Sequence, residues 1–239
     1  MLKFKYRSLA TSFLMTLLTT SQVKGSLYFS GLYASVGAGG ILTKGKHKLI
    51  NPNAGPSESK LSNFGGGASF HIGYVTEKGA STVMLGGEIY AMKFFNNIRK
   101  SIALPSGDFQ GNVRIQHNLG YGAALILGKL INPKIMVYGK LAFEMSSIMY
   151  KYNELRFGTS STWDTKKSYR KFIPGAGFRY AMSDHFHIGA EYSVAPLGKV
   201  LVRSDSYPIN GAARKIESKI IDNRFLVTFT YQLTAPKGN

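Results

Sequence analysis

The sequence contains no cysteine among its 239 residues. Disulfide frameworks, thiolate metal sites and cysteine nucleophiles are therefore excluded together. Charged residues are also scarce, at 18% of the chain, where globular domains average roughly 25%. Acidic residues are the scarcer kind, with 12 Asp and Glu against 30 Lys and Arg, which gives a formal net charge of +18. Such an excess favours anionic surfaces or partners.

Long apolar runs are missing as well. After residue 25, no stretch approaches the ~18 consecutive apolar residues that indicate a transmembrane helix. The chain is instead rich in glycine, with 27 residues, and in aromatic residues, with 14 Tyr and 15 Phe. Glycine weakens helices, and Tyr and Phe are enriched in strands. The composition therefore disfavours a helical bundle.

The first 25 residues have the pattern of an export signal. Lys3, Lys5 and Arg7 precede an apolar stretch of about ten residues, and Val23-Lys24-Gly25 supplies a cleavage point. The apolar stretch is too short to span a membrane as a helix. We expect residues 1–25 to be a cleaved signal peptide.

The remaining sequence alternates between apolar and small or polar residues with a period of two. Between Phe64 and Tyr74, the even positions are mostly apolar and the odd positions are Gly, Ser and His. This period indicates a β-strand with two different faces. The pattern recurs seven more times, at 28–39, 83–91, 113–125, 135–145, 172–180, 186–192 and 225–233.

The two faces of these predicted strands differ in charge. The apolar faces hold His117 as their only ionisable residue. A soluble sandwich or barrel would carry many charges opposite its apolar face, but here that face is rich in Gly, Ser and Ala. We therefore predict that the apolar faces meet lipid and that the isolated charges point into a narrow lumen, where they form one connected ion-pair network. The predicted network is Glu88, Arg114, Lys140, Glu144, Arg179, Glu191 and Arg224.

The segments between the strands alternate in length. Long segments at 43–62, 96–111, 148–168 and 197–221 alternate with short ones at 76–81, 129–134 and 183–185. Outer-membrane barrels have this alternation of long extracellular loops and short periplasmic turns. The predicted fold is all-β, an eight-stranded antiparallel up-and-down transmembrane β-barrel. It would span residues 26–233, with four long extracellular loops and a short periplasmic tail at 234–239.

Several of these segments also resemble a known family. The stretch 172–180, followed by Ser183-Asp184 and 188–192, resembles the penultimate hairpin of small outer-membrane barrels, and 137–142 and 86–90 are similar to their fifth and third strands. The family comprises the opacity-protein and OmpA/OmpX-like β-barrel domains of Gram-negative bacteria. The resemblance implies the cell outer membrane as location and barrel-assembly machinery, outer-membrane lipids and lipopolysaccharide as partners. The residues after the last strand depart from the terminal aromatic residue that is usual in the family.

No catalytic, cofactor-binding or metal-binding pattern stands out. Glycine-rich segments at 37–40 and 65–67 lack the spacing and the following helix of a nucleotide site. His185 and His187 have no carboxylate cluster to complete a metal site. Glu88, Glu144 and Glu191 form a carboxylate constellation, but each has basic company on its predicted face, which favours ion pairing. We therefore expect no enzyme activity, no cofactor and no metal.

The basic excess lies largely in the long segments, which suggests a binding role. Lys44, Lys46 and Lys48 form a candidate polyanion-binding loop. We expect a structural or adhesive surface barrel, or a surface antigen, that acts through basic extracellular loops on acidic host glycans or surface proteins. Nucleic acid is not an expected partner, because the cations are scattered and not interleaved with stacking aromatics. The alternatives are a small porin-like pore-former and, less favoured, a lipid-modifying enzyme.

Overall fold

The computed structural model describes residues 27–51, 55–77, 82–103, 109–156, 159–209 and 212–233. The predicted signal peptide and the predicted tail lie outside the described residues. Within these ranges no helix is long and apolar enough to cross a membrane. A single turn of 3-10 helix at Leu27–Phe29 precedes the strands. The strands are β1 (Gly31–Asn51), β2 (Gly55–Glu77), β3 (Val83–Phe95), β4 (Asn97–Ala103), β5 (Phe109–Asn132), β6 (Ile135–Arg156), β7 (Thr159–Ala181), β8 (Phe186–Ile209) and β9 (Ala212–Gln232).

The strands close into a barrel. Neighbouring strands pair antiparallel, and the ring closes where β1 pairs with β9 and β3 pairs with β5. β3 and β4 are two parts of one wall element, since both pair with β5 on either side of Asn96. At this interruption the buried Asn96 side chain turns inward and donates from Nδ2 to Thr43 Oγ1 at 2.7 Å. The structure thus confirms the predicted eight-stranded antiparallel up-and-down barrel.

Large apolar side chains cover the outside of the barrel. On β5, Leu119, Tyr121, Leu125 and Leu127 are each at least half exposed. They span nine residues, and a membrane-crossing strand takes about 9–11. A continuous exposed apolar surface of this kind is made for a lipid environment. Other members of this lipid-facing belt are Phe64, Phe70, Ile72, Ile89, Leu141, Phe172, Phe178, Phe225 and Phe229.

Strand β5 departs from its predicted face at one end. The sequence predicts Ile115 and His117 on the same outward face as Leu119, but the structure buries both inside the barrel. The pairing of β5 with β6 shifts register between His117 and Gly120. Because side chains alternate with a period of two, such an irregularity moves the following residues to the other face. The prediction of His117 on the lipid face is therefore wrong.

The long segments between strands are not loops along most of their length. Seven strands are 21 to 24 residues long, about twice what a membrane crossing needs. β1 and β2 remain paired from Thr43↔Asn63 to Asn51↔Gly55, and β6 and β7 remain paired as far as Arg156↔Thr159. The predicted long loops are therefore mostly projecting β-hairpins, which leave the barrel at the end opposite the short turns.

At this end the barrel wall divides into two sheets. Among the described residues, the pairing of β7 with β8 stops at Gly175↔Ser193, and that of β2 with β3 stops at Gly66↔Phe95. Pro174, which has no N–H to donate, directly precedes the last paired residue of β7. Beyond these points one sheet continues in the order β2-β1-β9-β8 and the other in the order β4-β5-β6-β7. We call them the first and the second projecting sheet.

The barrel interior has three layers. Along β6, the inward side chains Met136 and Tyr138 are followed by Lys140 and Glu144 and then by Ile148. The first layer is an apolar cluster at the short-turn end, formed by Phe29, Tyr33, Val75, Met84, Ile126, Leu130, Met136, Tyr138 and Ala181. The third layer, at the hairpin end, contains the buried apolar residues Leu61, Ile98, Ile115, Ile148, Leu197 and Ile220. The charged layer therefore lies between the short-turn cap, which is apolar, and the hairpin cap, in which buried apolar residues accompany buried polar ones such as His117.

Candidate functional site

Lys140 holds two carboxylates together in the charged layer. Its Nζ lies 2.7 Å from Glu88 Oε1 and 2.8 Å from Glu191 Oε1. Arg179 approaches Glu88 from the other side, with Nη2 3.7 Å from Oε2. All four side chains are buried, so each charge needs a partner to offset the loss of water. We call these four residues the Lys140 cluster.

Two tyrosines add hydrogen bonds to the Lys140 cluster. Tyr33 donates to Glu88 Oε2 at 2.7 Å and accepts from Arg179 Nη2 at 3.2 Å. Tyr138 donates to Glu191 Oε2 at 3.2 Å. The Arg179 guanidinium also lies over the Tyr33 ring, 4.4 Å from its centroid, an arrangement that stabilises a cation. Tyr33 and Tyr138 belong to the short-turn cap, so the cap and the charges are built together.

A second group, the Glu144 cluster, lies further toward the hairpin end. Arg224 makes a two-point contact with Glu144, with Nη1 2.6 Å from Oε2 and Nη2 3.0 Å from Oε1. Lys171 Nζ lies 3.0 Å from Glu144 Oε1, and Tyr90 donates to Oε2 at 3.2 Å. The Tyr90 ring also lies 5.3 Å from Lys140 Nζ, so the two clusters are adjacent.

A third polar group surrounds Asp222, which is fully buried. Thr43 donates to Asp222 Oδ1 at 2.7 Å, and His117 Nδ1 lies 3.4 Å from Oδ2. Asn96 extends this hydrogen-bond network, because it donates to Thr43 and accepts a hydrogen bond from Asn63. This group explains why His117 is turned inward and why the β3–β4 element is interrupted at Asn96. The three groups together contain four carboxylates and four Lys or Arg cations.

Six of the seven residues predicted for the lumen network lie in the first two clusters. The exception is Arg114, which is partly exposed and donates from Nε to Asn97 Oδ1 at 2.9 Å. It precedes the buried Ile115 and so faces away from the lumen. The sequence prediction missed Lys171 and Asp222. Asp222 lies two residues before the predicted inward Arg224, and Lys171 lies on the continued alternation of the inward Arg179. Extending the period-two pattern on β7 and β9 would therefore have found both.

The two histidines considered for a metal do not face a common centre. The buried His187 ring packs against Phe29, with 4.9 Å between ring centroids, whereas His185 Nδ1 lies 3.1 Å from the Gln232 carbonyl oxygen. Over the described ranges, no three His, Asp or Glu side chains are grouped closely enough to share a metal ion.

One small cavity lies beside the charged residues. A cavity of about 20 Å³ lies between Ser69, His71, Tyr90, Lys140 and Arg224, and this volume suits a single water molecule. The buried carboxylates of Glu88, Glu144 and Glu191 each lie within 3.0 Å of a cation. The ion pairs of the layer connect side chains of strands that are not adjacent in the barrel wall.

The candidate polyanion site lies on strand β1 of the first projecting sheet. Lys44 follows the buried Thr43, and Lys44, Lys46 and Lys48 are all exposed on the outer side. Lys46 Nζ is 2.7 Å from Glu58 Oε1 on β2. The hydrogen bond from Lys46, together with the positive charges around it, lowers the pKa of Glu58. This carboxylate is therefore a local counter-ion for a cationic surface.

The fold matches solved outer-membrane barrels. The outer membrane protein OprG from Pseudomonas aeruginosa aligns with 87% of this chain and 98% of its own, at 11% identity and a TM-score of 0.54. Neisserial surface protein A covers 85% of this chain and 98% of its own at 13% identity and a TM-score of 0.40, and Ail of Yersinia pestis covers 84% and 99% at 14% identity and a TM-score of 0.32. No family model and no curated protein sequence matches the chain.

The similarity to OprG and the lipid-facing belt lead to one structural class. A closed antiparallel barrel with an apolar exterior and a polar layer inside is the architecture of outer-membrane proteins. The chain has the fold of an outer-membrane β-barrel protein, and the resemblance to small outer-membrane barrels noted in the sequence is confirmed at the level of fold.

Proposed function

We propose that the protein is a surface barrel, structural or adhesive, that acts through its projecting hairpins rather than through its lumen. The observation that carries this proposal is the filled interior, in which buried side chains lie on both sides of the charged layer. Long segments on a rigid scaffold are where binding usually resides. By the general rule for outer-membrane barrels, the hairpins would be extracellular and the short turns periplasmic.

A small pore is less well supported. Eight-stranded barrels have interiors that side chains fill. Here the paired charges of the Lys140 and Glu144 clusters cross the lumen, and the cavity beside them has room for about one water molecule. An ion would have to break buried salt bridges to pass. The proposal therefore expects no large stable conductance.

A lipid-modifying enzyme is also less well supported. The buried carboxylates that could serve as acids or bases are engaged by Lys140, Lys171 and Arg224. A general base has to reach its substrate proton within hydrogen-bond distance, and these groups are enclosed by the barrel wall. The proposal assigns them to barrel stability.

The expected partners are acidic polymers at the cell exterior. Lys44, Lys46 and Lys48 are exposed on the first projecting sheet. Exposed clusters of one sign attract ligands of the other sign, more strongly at low salt. Acidic host glycans and the phosphates of lipopolysaccharide both have the required charge.

Three measurements test the proposal, the first two on the purified full chain and the third on intact cells. In planar bilayers, we expect no large stable conductance, and a regular open channel would contradict the proposal in favour of a pore. In a binding assay on immobilised heparin, we expect retention at low salt that falls steeply toward physiological salt. Protease treatment of intact cells should cut within the projecting hairpins, whereas full protection of the hairpins would contradict their proposed extracellular position.

A further inference from the structure

The strand register aligns lysines from four neighbouring strands. Lys46 on β1 is directly opposite Lys60 on β2 and Lys219 on β9, and Lys219 is opposite Lys199 on β8. Directly opposed residues share one face of a sheet. The side chains of Lys46, Lys60 and Lys219 are exposed, so this face is the outer one. We call these four positions the lysine row, which crosses three strand spacings or about 14 Å.

The row is an unusual arrangement, because like charges placed directly opposite each other destabilise a sheet. On the same face of β1, Lys44 lies two residues from Lys46 toward the barrel. Lys48 lies two residues from Lys46 in the other direction, and its positions across the sheet are Glu58 and Glu217. Among the side chains that the structure describes here, one acidic residue, Glu58, accompanies five lysines on this face. The surplus of four positive charges attracts anions from outside the protein.

The position of the row indicates where that anion comes from. The lateral neighbours of Lys44 are Ser62 and Ile221, and the next position toward the barrel pairs Leu42 with Phe64. Phe64 and Ile221 are exposed members of the apolar outer surface. The row therefore begins within about 7 Å of the apolar belt, measured along the strand from Ile221. Lysines at such a boundary extend their ammonium groups to the headgroup layer of the membrane.

We propose that the lysine row binds the phosphate groups of an anionic lipid in the leaflet that surrounds the projecting hairpins. A lipid with more than one phosphate fits best, because a row of about 14 Å contacts several phosphates at once. Glu58 is the intramolecular competitor of that lipid, since its carboxylate already binds Lys46 at 2.7 Å. The inference rests on the proposed function for the orientation of the hairpins.

The test uses the full chain in phosphatidylcholine nanodiscs that contain a small fraction of either bis-phosphorylated lipid A or the same lipid without phosphates. Bound lipid is counted by native mass spectrometry. We expect the wild type to retain the phosphorylated form selectively, and Lys60→Gln/Lys219→Gln to lower its affinity by about 25-fold, at about 5-fold per lysine near a membrane surface. Both lysines are exposed, so the barrel should keep its folded gel mobility.

Two further variants make the test specific. Lys166→Gln/Lys167→Gln removes the same charge from β7 of the second projecting sheet, where both lysines are exposed and outside the row, and it should leave lipid retention unchanged. Glu58→Gln removes the competitor and should strengthen retention. Equal losses in the row variant and the β7 variant would overturn the proposal in favour of diffuse charge attraction.

A soluble polyanion provides the last comparison. If the row variant lost heparin binding but kept lipid A, the row would serve an external polymer, and the inference would fail while the proposed function stood. If the hairpins were instead protected from protease in intact cells, their extracellular orientation would be wrong, and both the inference and the proposed function would fail.

Discussion

Arg224 and Glu144 form a two-point ion pair inside the barrel, with Nη1 2.6 Å from Oε2 and Nη2 3.0 Å from Oε1. Arg224 belongs to β9 and Glu144 to β6, and β7 and β8 separate them in the wall. The planar guanidinium matches a carboxylate at both oxygens. The pair therefore braces strands that share no backbone hydrogen bonds.

Removing one member of this pair should destabilise the barrel. In Arg224→Met the buried Glu144 keeps only Lys171 as a cationic partner, 3.0 Å away. Breaking a buried pair in this way costs about 3–5 kcal/mol, and we expect the lower end because Lys171 remains. Urea unfolding in lipid vesicles, followed by heat-modifiable gel mobility, measures the change. Lys46→Gln breaks the exposed pair with Glu58 and is the control, expected to change stability little. Equal effects of the two variants would contradict a bracing role.

The lipid-facing belt predicts that a charged side chain impairs membrane insertion when it is placed within the belt and not when it is placed beyond it. Leu125 is 71% exposed near the middle of the β5 belt segment. Leu125→Arg should impair insertion by about 2–4 kcal/mol if it lies at the bilayer midplane. The control is Ser62→Arg, on the outer face of β2 beyond the belt, which we expect to insert normally. The folded fraction in vesicles of fixed composition distinguishes the two. Normal insertion of Leu125→Arg would refute the assigned outer face.

Glu58 should titrate below an ordinary carboxyl group. The hydrogen bond from Lys46 and the charges of Lys46, Lys48 and Lys60 lower its pKa from 4.5. Because the folded pKa is depressed, the pair is fully present above pH 4.5 and is lost as the pH falls through the lower folded value. Carbon-13 NMR of the labelled carboxyl measures the midpoint. Lys46→Gln should return that midpoint toward 4.5, and an unchanged midpoint would show that Lys46 is not the cause.

Much of the fold could be predicted because each membrane-crossing strand has one lipid face and one lumen face. This difference produces the period of two on which the positions of Glu88, Lys140, Glu144 and Arg179 depend. The pattern fails where the lumen itself is apolar. Ile115 belongs to the hairpin cap, so its side chain has the same character as the lipid-facing Leu119. Sequence alone cannot separate them, and the prediction of Arg114 in the lumen is wrong for this reason.

The projecting hairpins escaped prediction for a related reason. Beyond the membrane the outer face of a strand carries polar and charged side chains, so apolar residues no longer mark the outer face and a strand looks like a loop. Strand pairing shows what the sequence hides: Lys46, Lys60 and Lys219 are far apart in the chain but adjacent across the sheet. The candidate Lys44, Lys46 and Lys48 was visible as a local cluster, whereas the row depends on a register that only the structure supplies.

A glycine in the barrel wall tests how closely the backbones of β1 and β9 approach each other. A Cβ added at Gly39 of β1 would overlap the Phe225 carbonyl oxygen and lie 2.9 Å from Leu226 Cα, both backbone atoms of β9. Backbone cannot move aside as a flexible side chain can, so Gly39→Ala must push β1 and β9 apart where the barrel closes. Forcing extra volume into a packed site costs about 1–3 kcal/mol.

The matched control is another glycine in the wall. A Cβ at Gly139 of β6 would meet no atom within 4 Å, so Gly139→Ala should leave stability unchanged or slightly raise it, because alanine loses less chain entropy on folding. Urea midpoints of the two variants in the same vesicles give the comparison. Equal midpoints for Gly39→Ala and wild type would mean that β1 and β9 are not in the close backbone contact that shuts the barrel.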